Sequence, residues 1–184
     1  MANPLWKDRL MALRLWPPLA PLILVVAALV FGIDQTHKWW MLVVFAIGAR
    51  DSVAILPFLD ITLVWNRGIS YGLFPSHDQA PLIVVGLLVC AGLWLWACRT
   101  GKGLVAASLA LIIGGALSNI LDRLARGAVA DFFHFHVGQF SWYVFNLADV
   151  AVVAGVALLL YESVSDRAST GVTEKPDLGR EEPS

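Results

Sequence analysis

The chain is poor in charged residues and in cysteine, and it has no excess of basic residues. Only 15% of its 184 residues are charged, whereas 58% are hydrophobic, so a soluble globular fold is not expected. A formal net charge of -1 excludes a basic nucleic-acid-binding protein. Cys90 and Cys98 are the only cysteines and are eight residues apart in one apolar run. That spacing is too long for a bridge along a helix, which excludes a disulfide framework.

Apolar residues are concentrated in four runs that predict membrane-spanning helices. The runs cover about 16–33, 81–98, 104–121 and 145–161, close to the roughly 17–25 residues that cross a bilayer. An even number of spans places both termini on one side, and the short basic loop 99–103 indicates that this side is the cytoplasm. We interpret residues 1–163 as one membrane domain and the acidic stretch 164–184 as a disordered cytoplasmic tail.

The segment between the first two spans, residues 49–79, is too polar to cross the bilayer. Ile61–Trp65 is a partly alternating, β-branched run, and the turn signal Asn66–Gly68 follows it. We therefore expect an all-α membrane protein of four transmembrane helices, with a small strand-rich element on its extracytoplasmic surface.

Most of the polar residues near the spans lie at their outer ends. Polar groups at a membrane are costly and are therefore functional candidates. This set consists of Asp34, Asn66, Arg67, Asn119, Asp122, Arg123, Asp131, Asn146 and Asp149. A small transporter or a proton channel would instead need polar residues near the midplane, where the last three spans contain none beyond Ser108.

Asp131 and Asp149 are the best candidates for chemistry. They lie eighteen positions apart in different segments, and an aromatic-rich stretch between them allows the chain to double back. Two adjacent carboxyl groups share one proton and activate water, as in aspartic enzymes. No nucleophile elbow, HExxH motif or phosphate-binding loop competes with this reading. The spacing alone leaves open that Asp149 only satisfies free amides at a helix start, as it would in a purely structural membrane protein.

Two further charged pairs have a structural interpretation. Asp34 and Lys38 are four residues apart and would pair on one helix face. Asp122 and its neighbour Arg123 are interpreted as a charge pair at the membrane surface.

Two other features are also given structural interpretations. His134 and His136 alternate as on a strand, and the sequence offers no third ligand, so no metal site is expected. Gly114 and Gly115, with Ala116 and Ser118, are interpreted as small residues that allow close helix packing.

Four sequence blocks, in this order, resemble the lipoprotein signal peptidases, also called signal peptidase II, over about residues 33–162. The blocks are Asp34-Gln-Thr-His-Lys38, Asn66-Arg-Gly-Ile-Ser-Tyr-Gly72, Gly114-Gly-Ala-Leu-Ser-Asn-Ile-Leu-Asp-Arg123 with Ala130-Asp-Phe132, and Phe145-Asn-Leu-Ala-Asp149. The resemblance implies a four-helix aspartyl protease of the bacterial inner membrane with a small periplasmic β-cradle. It also implies removal of the signal peptide from prolipoproteins, with cleavage before a diacylglyceryl-modified cysteine.

The resemblance also implies roles for individual residues. Asp131 and Asp149 would be the catalytic pair, and Asn66, Asn119 and Arg123 would line the substrate groove. Asn146 would orient the pair, while Asp34, Lys38 and Asp122 would support the fold or the site. No metal or organic cofactor is implied. The expected partners are the lipid-modified prolipoprotein and membrane lipid, and the enzyme is expected to be a monomer. The sequence departs from the family pattern at Ile69–Tyr71 and at His134, which affects the expected shape of the groove.

Overall fold

The computed structural model describes residues 15–68 and 78–171, with side chains as far as residue 166. The helices are α1 (Ala20–Trp39), α2 (Ala80–Ala97), α3 (Gly103–Arg126) and α4 (Leu147–Gly171). The strands are β1 (Val53–Leu56), β2 (Leu59–Asn66), β3 (Val129–Val137) and β4 (Phe140–Phe145). A π-helical turn, Trp40–Val44, continues α1. The predicted fold class, four spanning helices with a small β element, is confirmed.

The bundle is arranged around α3. Within the described residues, four helical segments are long and apolar enough to cross a membrane. The most apolar part of α3 is 61% buried, against 11–17% for the other three segments. Those three carry exposed large apolar side chains, such as Leu24, Leu88 and Val153. Such surfaces would be costly in water, but they are compatible with lipid tails.

Glycines on α3 let its neighbours approach the backbone closely. A Cβ atom on Gly114 would lie 2.7 Å from the carbonyl oxygen of Ala27 in α1. On Gly115 it would lie 2.5 Å from the carbonyl oxygen of Ala148 in α4. Both distances are below van der Waals contact, so the predicted packing role of these two glycines is confirmed.

The four strands form one antiparallel sheet in the order β1-β2-β3-β4. Its central pairing joins the two outer segments, with Ile61 opposite Phe133 and Asn66 opposite Val129. The predicted outer element, 49–79, supplies only β1 and β2. The other half comes from β3 and β4, which the sequence interpretation did not assign to the sheet, because pairing between such distant segments leaves no local pattern. Ile69–Tyr71 lie outside the described residues.

The first, third and fourth helices differ from their expected limits. The third, expected to end at residue 121, continues to Arg126. The first span was expected to end at residue 33, but α1 continues through Asp34 and Lys38 because these side chains point into the bundle and pair there. The fourth helix begins at Leu147, two residues later than expected, because Asn146 occupies the position before its first turn. The second helix differs from its expected range by one residue at each end.

The expected boundary of the tail at residue 164 needs correction. The fourth helix continues to Gly171, so the start of that stretch is helical. Residues 164–170 contain no proline or glycine that would end the helix earlier. Lys102, just before α3, also holds this end, because its Nζ atom lies 3.1 Å from Glu162 and pairs with Asp166. Residues 172–184 lie outside the described residues.

The close approach of α1 and α3 predicts that Gly114→Ala destabilises the protein. The added methyl group meets backbone that cannot rotate away, and overpacking of this kind costs about 1–3 kcal/mol. The measurement is thermal unfolding in detergent micelles. Gly92→Ala in α2 is the matched control, because a Cβ atom there meets nothing within 4 Å. Equal unfolding temperatures for the two variants would contradict the prediction.

Candidate active site

Asn146 joins the two candidate carboxylates. It lies between the end of β4 and the start of α4, and its Nδ2 atom donates to Asp131 Oδ1 at 2.7 Å. Its backbone N–H donates to Asp149 Oδ2 at 3.1 Å, and the Asp149 N–H donates to Asn146 Oδ1 at 2.9 Å. This reciprocal pair is a capping box at the start of α4. Asp149 therefore does satisfy helix-start amides, and the same capping residue also holds Asp131.

Asp131 belongs to the sheet and contacts Asn146 from that side. It lies on β3 opposite Val64 of β2 and is 1% exposed. Asn66, at the end of β2, donates from Nδ2 to Asp131 Oδ2 at 3.1 Å. The Asn66 Oδ1 atom accepts from the Gly68 N–H at 3.0 Å, which forms the turn that the sequence predicted. Both oxygens of Asp131 thus accept hydrogen bonds from asparagine side chains.

Asn119 of α3 holds the other carboxylate. Its Nδ2 atom donates to Asp149 Oδ1 at 2.9 Å. Its Oδ1 atom accepts from Asn146 Nδ2 and from Lys38 Nζ, each at 3.1 Å. Because the ammonium can only donate, these contacts fix which end of the amide faces Asp149.

A buried charge cluster lies behind the two carboxylates. The Lys38 side chain is fully buried, and its Nζ atom lies 2.7 Å from Asp34 Oδ2 and 2.7 Å from Asp122 Oδ2. Asp34 accepts from the backbone N–H of Ala148 at 2.9 Å, and Asp122 accepts from that of Ala130 at 3.4 Å. These two amides immediately precede Asp149 and Asp131. Each partner of Lys38 therefore fixes the backbone next to one candidate carboxylate.

The two predicted charge pairs have different outcomes. The pair between Asp34 and Lys38 is present. The pair between Asp122 and Arg123 is wrong, because Asp122 is fully buried and pairs with Lys38 and, at 2.5 Å, with Arg126. Adjacent residues of a helix do not face each other, whereas residues four apart do.

Arg123 instead connects α3 to the turn after β2. Its Nη2 atom donates to the carbonyl oxygen of Gly68 at 2.9 Å, and Nη1 donates to that of Asn119 at 3.3 Å. Its buried Nε atom has no protein acceptor within the part of the chain that the structure describes.

The site opens into a cavity of about 330 Å³. Five of the predicted site residues line this cavity: Asn66, Asn119, Arg123, Asp131 and Asp149. The other four, Asp34, Lys38, Asp122 and Asn146, are buried behind it and hold the lining residues. The remaining wall is mostly apolar and includes Leu82, Val85, Ile120 and Val152.

The electrostatics of the site favour the protonated form of Asp131. Burial, and secondly the negative charge of Asp149, raises the pKa of the Asp131 carboxyl from 3.8 to about 7. Hydrogen bonds from Asn66 and Asn146 act in the opposite direction but are outweighed. Near neutral pH a substantial fraction of Asp131 is therefore protonated, which a general acid requires.

Sequence reasoning missed Gln35 and Ser118. The Ser118 hydroxyl donates to Asp34 Oδ2 at 2.6 Å. Gln35 Nε2 donates to Ser118 Oγ at 2.9 Å and to Asp122 Oδ1 at 3.1 Å. The available signal was helical spacing, because Ser118 lies one turn before Asp122, whereas it had been interpreted only as a small packing residue.

The two histidines of β3 lie away from the cavity. His134 Nε2 lies 2.6 Å from Ser141 Oγ, and His136 Nε2 lies 3.2 Å from Asp60 Oδ2. Within the described residues, no group of three or more histidine, cysteine or acidic side chains is arranged to hold a metal ion.

Comparison with known proteins gives consistent matches. The family model described as signal peptidase (SPase) II matches residues 26–165. A lipoprotein signal peptidase of Methylocella silvestris is 50% identical over 156 residues, covering 82% of this chain and 90% of that protein. A lipoprotein signal peptidase of Methylobacterium sp. strain 4-46 is 46% identical over 162 residues, covering 85% of this chain and 98% of that protein. A solved bacterial membrane enzyme, determined by the in meso method at 2.3 Å resolution, is similar in fold with a TM-score of 0.71. It is 24% identical and covers 88% of this chain and 94% of its own.

The buried cluster predicts that Lys38→Met strongly destabilises the protein. Removal of the ammonium leaves the buried Asp34 without its cation and Asp122 with Arg126 as its remaining cation; breaking a buried pair in this way costs about 3–5 kcal/mol. The measurement is the free energy of unfolding in micelles. Lys102→Met is the matched control, because Lys102 also contacts two carboxylates but is 48% exposed, and exposed pairs contribute little. A Lys38 variant as stable as the Lys102 variant would contradict the prediction.

Proposed function

Because this chain belongs to the signal peptidase II family, we propose that Asp131 and Asp149 are the catalytic pair of its aspartic endopeptidase activity. The protein is a lipoprotein signal peptidase of the bacterial inner membrane, and it removes signal peptides from prolipoproteins. The single observation that supports the proposal most strongly is that Asn146 holds both carboxylates. Its side chain donates to Asp131, its backbone N–H donates to Asp149, and both carboxylates line one cavity.

In the proposed reaction, the ionised member of the pair takes a proton from water, and the water oxygen bonds to the scissile carbonyl carbon. The protonated member gives its proton to the carbonyl oxygen, which forms a tetrahedral diol. Collapse of the diol breaks the C–N bond, and the nitrogen leaves with a proton returned by the pair. The water supplies the nucleophile, so the two carboxyl groups account for every proton transfer.

The substrate groove is proposed to include Asn66, Asn119 and Arg123. Each asparagine Nδ2 donates one hydrogen to a catalytic carboxylate, and an amide nitrogen carries two hydrogens. The second hydrogen of each asparagine is available to the carbonyl oxygens of an extended peptide, and Arg123 lines the same cavity. The apolar remainder of the cavity wall suits the small and apolar side chains of a signal peptide.

The depth of the site fits a lipid-modified substrate. Asp149 is in the first turn of a membrane-spanning helix, so the site lies near the bilayer surface. A diacylglyceryl group on the substrate cysteine would hold the scissile bond at that level, because each buried methylene contributes about 0.8 kcal/mol to anchoring. We propose that the enzyme acts as a monomer surrounded by membrane lipid.

The proposed mechanism predicts that Asp131→Asn and Asp149→Asn each abolish cleavage. Loss of either proton-transfer group lowers kcat by at least about 10²–10⁴-fold. The measurement is signal-peptide release from a diacylglyceryl-modified precursor by purified enzyme. Asp51→Asn is the matched control, because Asp51 is exposed just before β1 and should retain wild-type activity. Cleavage that persists in either site variant removes that carboxylate from the mechanism.

The raised pKa of Asp131 also predicts how kcat/KM depends on pH. With the pKa of Asp131 raised to about 7, a rise in pH above this value removes the proton that the pair must donate. We expect kcat/KM to fall roughly tenfold per pH unit above this range. The measurement is a profile of kcat/KM from pH 5 to pH 9. A profile that stays flat to pH 9 would show that the cleaving form needs no protonated carboxyl group in this range.

A further inference from the structure

A second groove begins at the candidate active site and runs along the outer surface of α4. It has a volume of about 540 Å³, within the range of roughly 300–1,000 Å³ found for small-molecule sites. One wall is the hairpin of β3 and β4, including Phe135, Phe140 and Trp142. The other wall is a stripe on α4: Val150, Val153, Ala154 and Ala157. This spacing places the four side chains on one helix face.

The groove is continuous with the catalytic cavity. Asp149 and Tyr143 line both spaces. From Asp149 the stripe continues for eight residues to Ala157, about 12 Å along the helix axis. It therefore leads from the catalytic carboxylate toward the bilayer interior. The groove is deep at Ala154 and Ala157 because their side chains are short. Nearby exposed positions on the same helix carry the larger Val156 and Leu160.

We propose that this groove receives one acyl chain of the diacylglyceryl group on the substrate cysteine. The inference rests on the proposed function. The cysteine supplies the nitrogen of the scissile bond, so its lipid must start within a few bonds of the catalytic carboxylates. The groove is apolar, starts at Asp149 and leads into the span, which matches the origin, chemistry and direction of such a chain.

The groove contributes orientation rather than hydrophobic affinity. An acyl chain is already surrounded by hydrocarbon in the bilayer, so transfer into an apolar groove releases no water. Confinement of the chain instead fixes the direction in which it leaves the cysteine, and with it the position of the peptide bond. Small misplacements of reacting groups reduce rates by as much as about 10²-fold.

The test narrows the far end of the groove with Ala157→Phe. Ala157 is exposed on the protein surface, so a larger side chain there does not disturb the core. The substrates are two precursor peptides that differ only in their diacylglyceryl group, dipalmitoyl or dihexanoyl. The measured quantity is the ratio of kcat/KM for the long-chain substrate to that for the short-chain substrate. Val156→Phe is the matched control, because Val156 is exposed at the same depth but outside the groove.

We expect the ratio to fall about tenfold in Ala157→Phe and to stay within about twofold of wild type in Val156→Phe, because only a long chain reaches Ala157. Ala154→Phe, nearer to Asp149, should slow cleavage of both substrates. The inference is overturned if the long-chain to short-chain ratio of kcat/KM is unchanged in Ala157→Phe, or if it is lowered equally in Ala157→Phe and Val156→Phe. Cleavage by the wild-type protein would still support the proposed function in either case. Wild-type protein that cleaves neither substrate would instead overturn the proposed function, and this inference with it.

Discussion

The buried ammonium group of Lys38 is the interaction on which the rest of the site depends. It neutralises Asp34 and Asp122 in an environment where unpaired charges are very costly. Those carboxylates in turn accept the backbone N–H groups of Ala148 and Ala130. Lys38 also contacts the amide oxygen of Asn119. One charge therefore sets the position of the chain beside both catalytic candidates and the direction of the amide that holds Asp149.

Helix packing brings these groups within hydrogen-bond distance. Gly114 lets α1 reach the backbone of α3, and Gly115 does the same for α4. A larger residue at either position would move Lys38 or Asp149 away from Asn119. The sheet contributes the remaining component, because the pairing of β2 with β3 brings Asn66 next to Asp131. The membrane-spanning bundle and the sheet meet at this site.

The sequence predicted what local patterns encode. Four apolar runs predicted the bundle, the run Ile61–Trp65 predicted β2, and the spacing of Asp34 and Lys38 predicted their pair. Contacts between segments that are far apart in the sequence were harder to predict from local patterns. The second half of the sheet was missed because strand partners lie in another outer segment. The contact of Asp122 with Lys38 was missed because it depends on the packing of α1 against α3, whereas the contact with Arg126 follows the four-residue helical spacing and was overlooked. Asp131 and Asp149 were identified as a pair, but the role of Asn146 as their shared contact came only from the structure and the resemblance.

The adjacency of Asp131 and Asp149 is tested most directly by titrating the Asp131 carboxyl with carbon-13 NMR, in the wild type and in Asp149→Asn. We expect a pKa of about 7 in the wild type. We expect a lower pKa in the variant, because the neighbouring negative charge that opposes ionisation has been removed. An Asp131 pKa that is the same in both proteins would mean that the two carboxyl groups are too far apart to share a proton, and it would contradict the proposed catalytic pair.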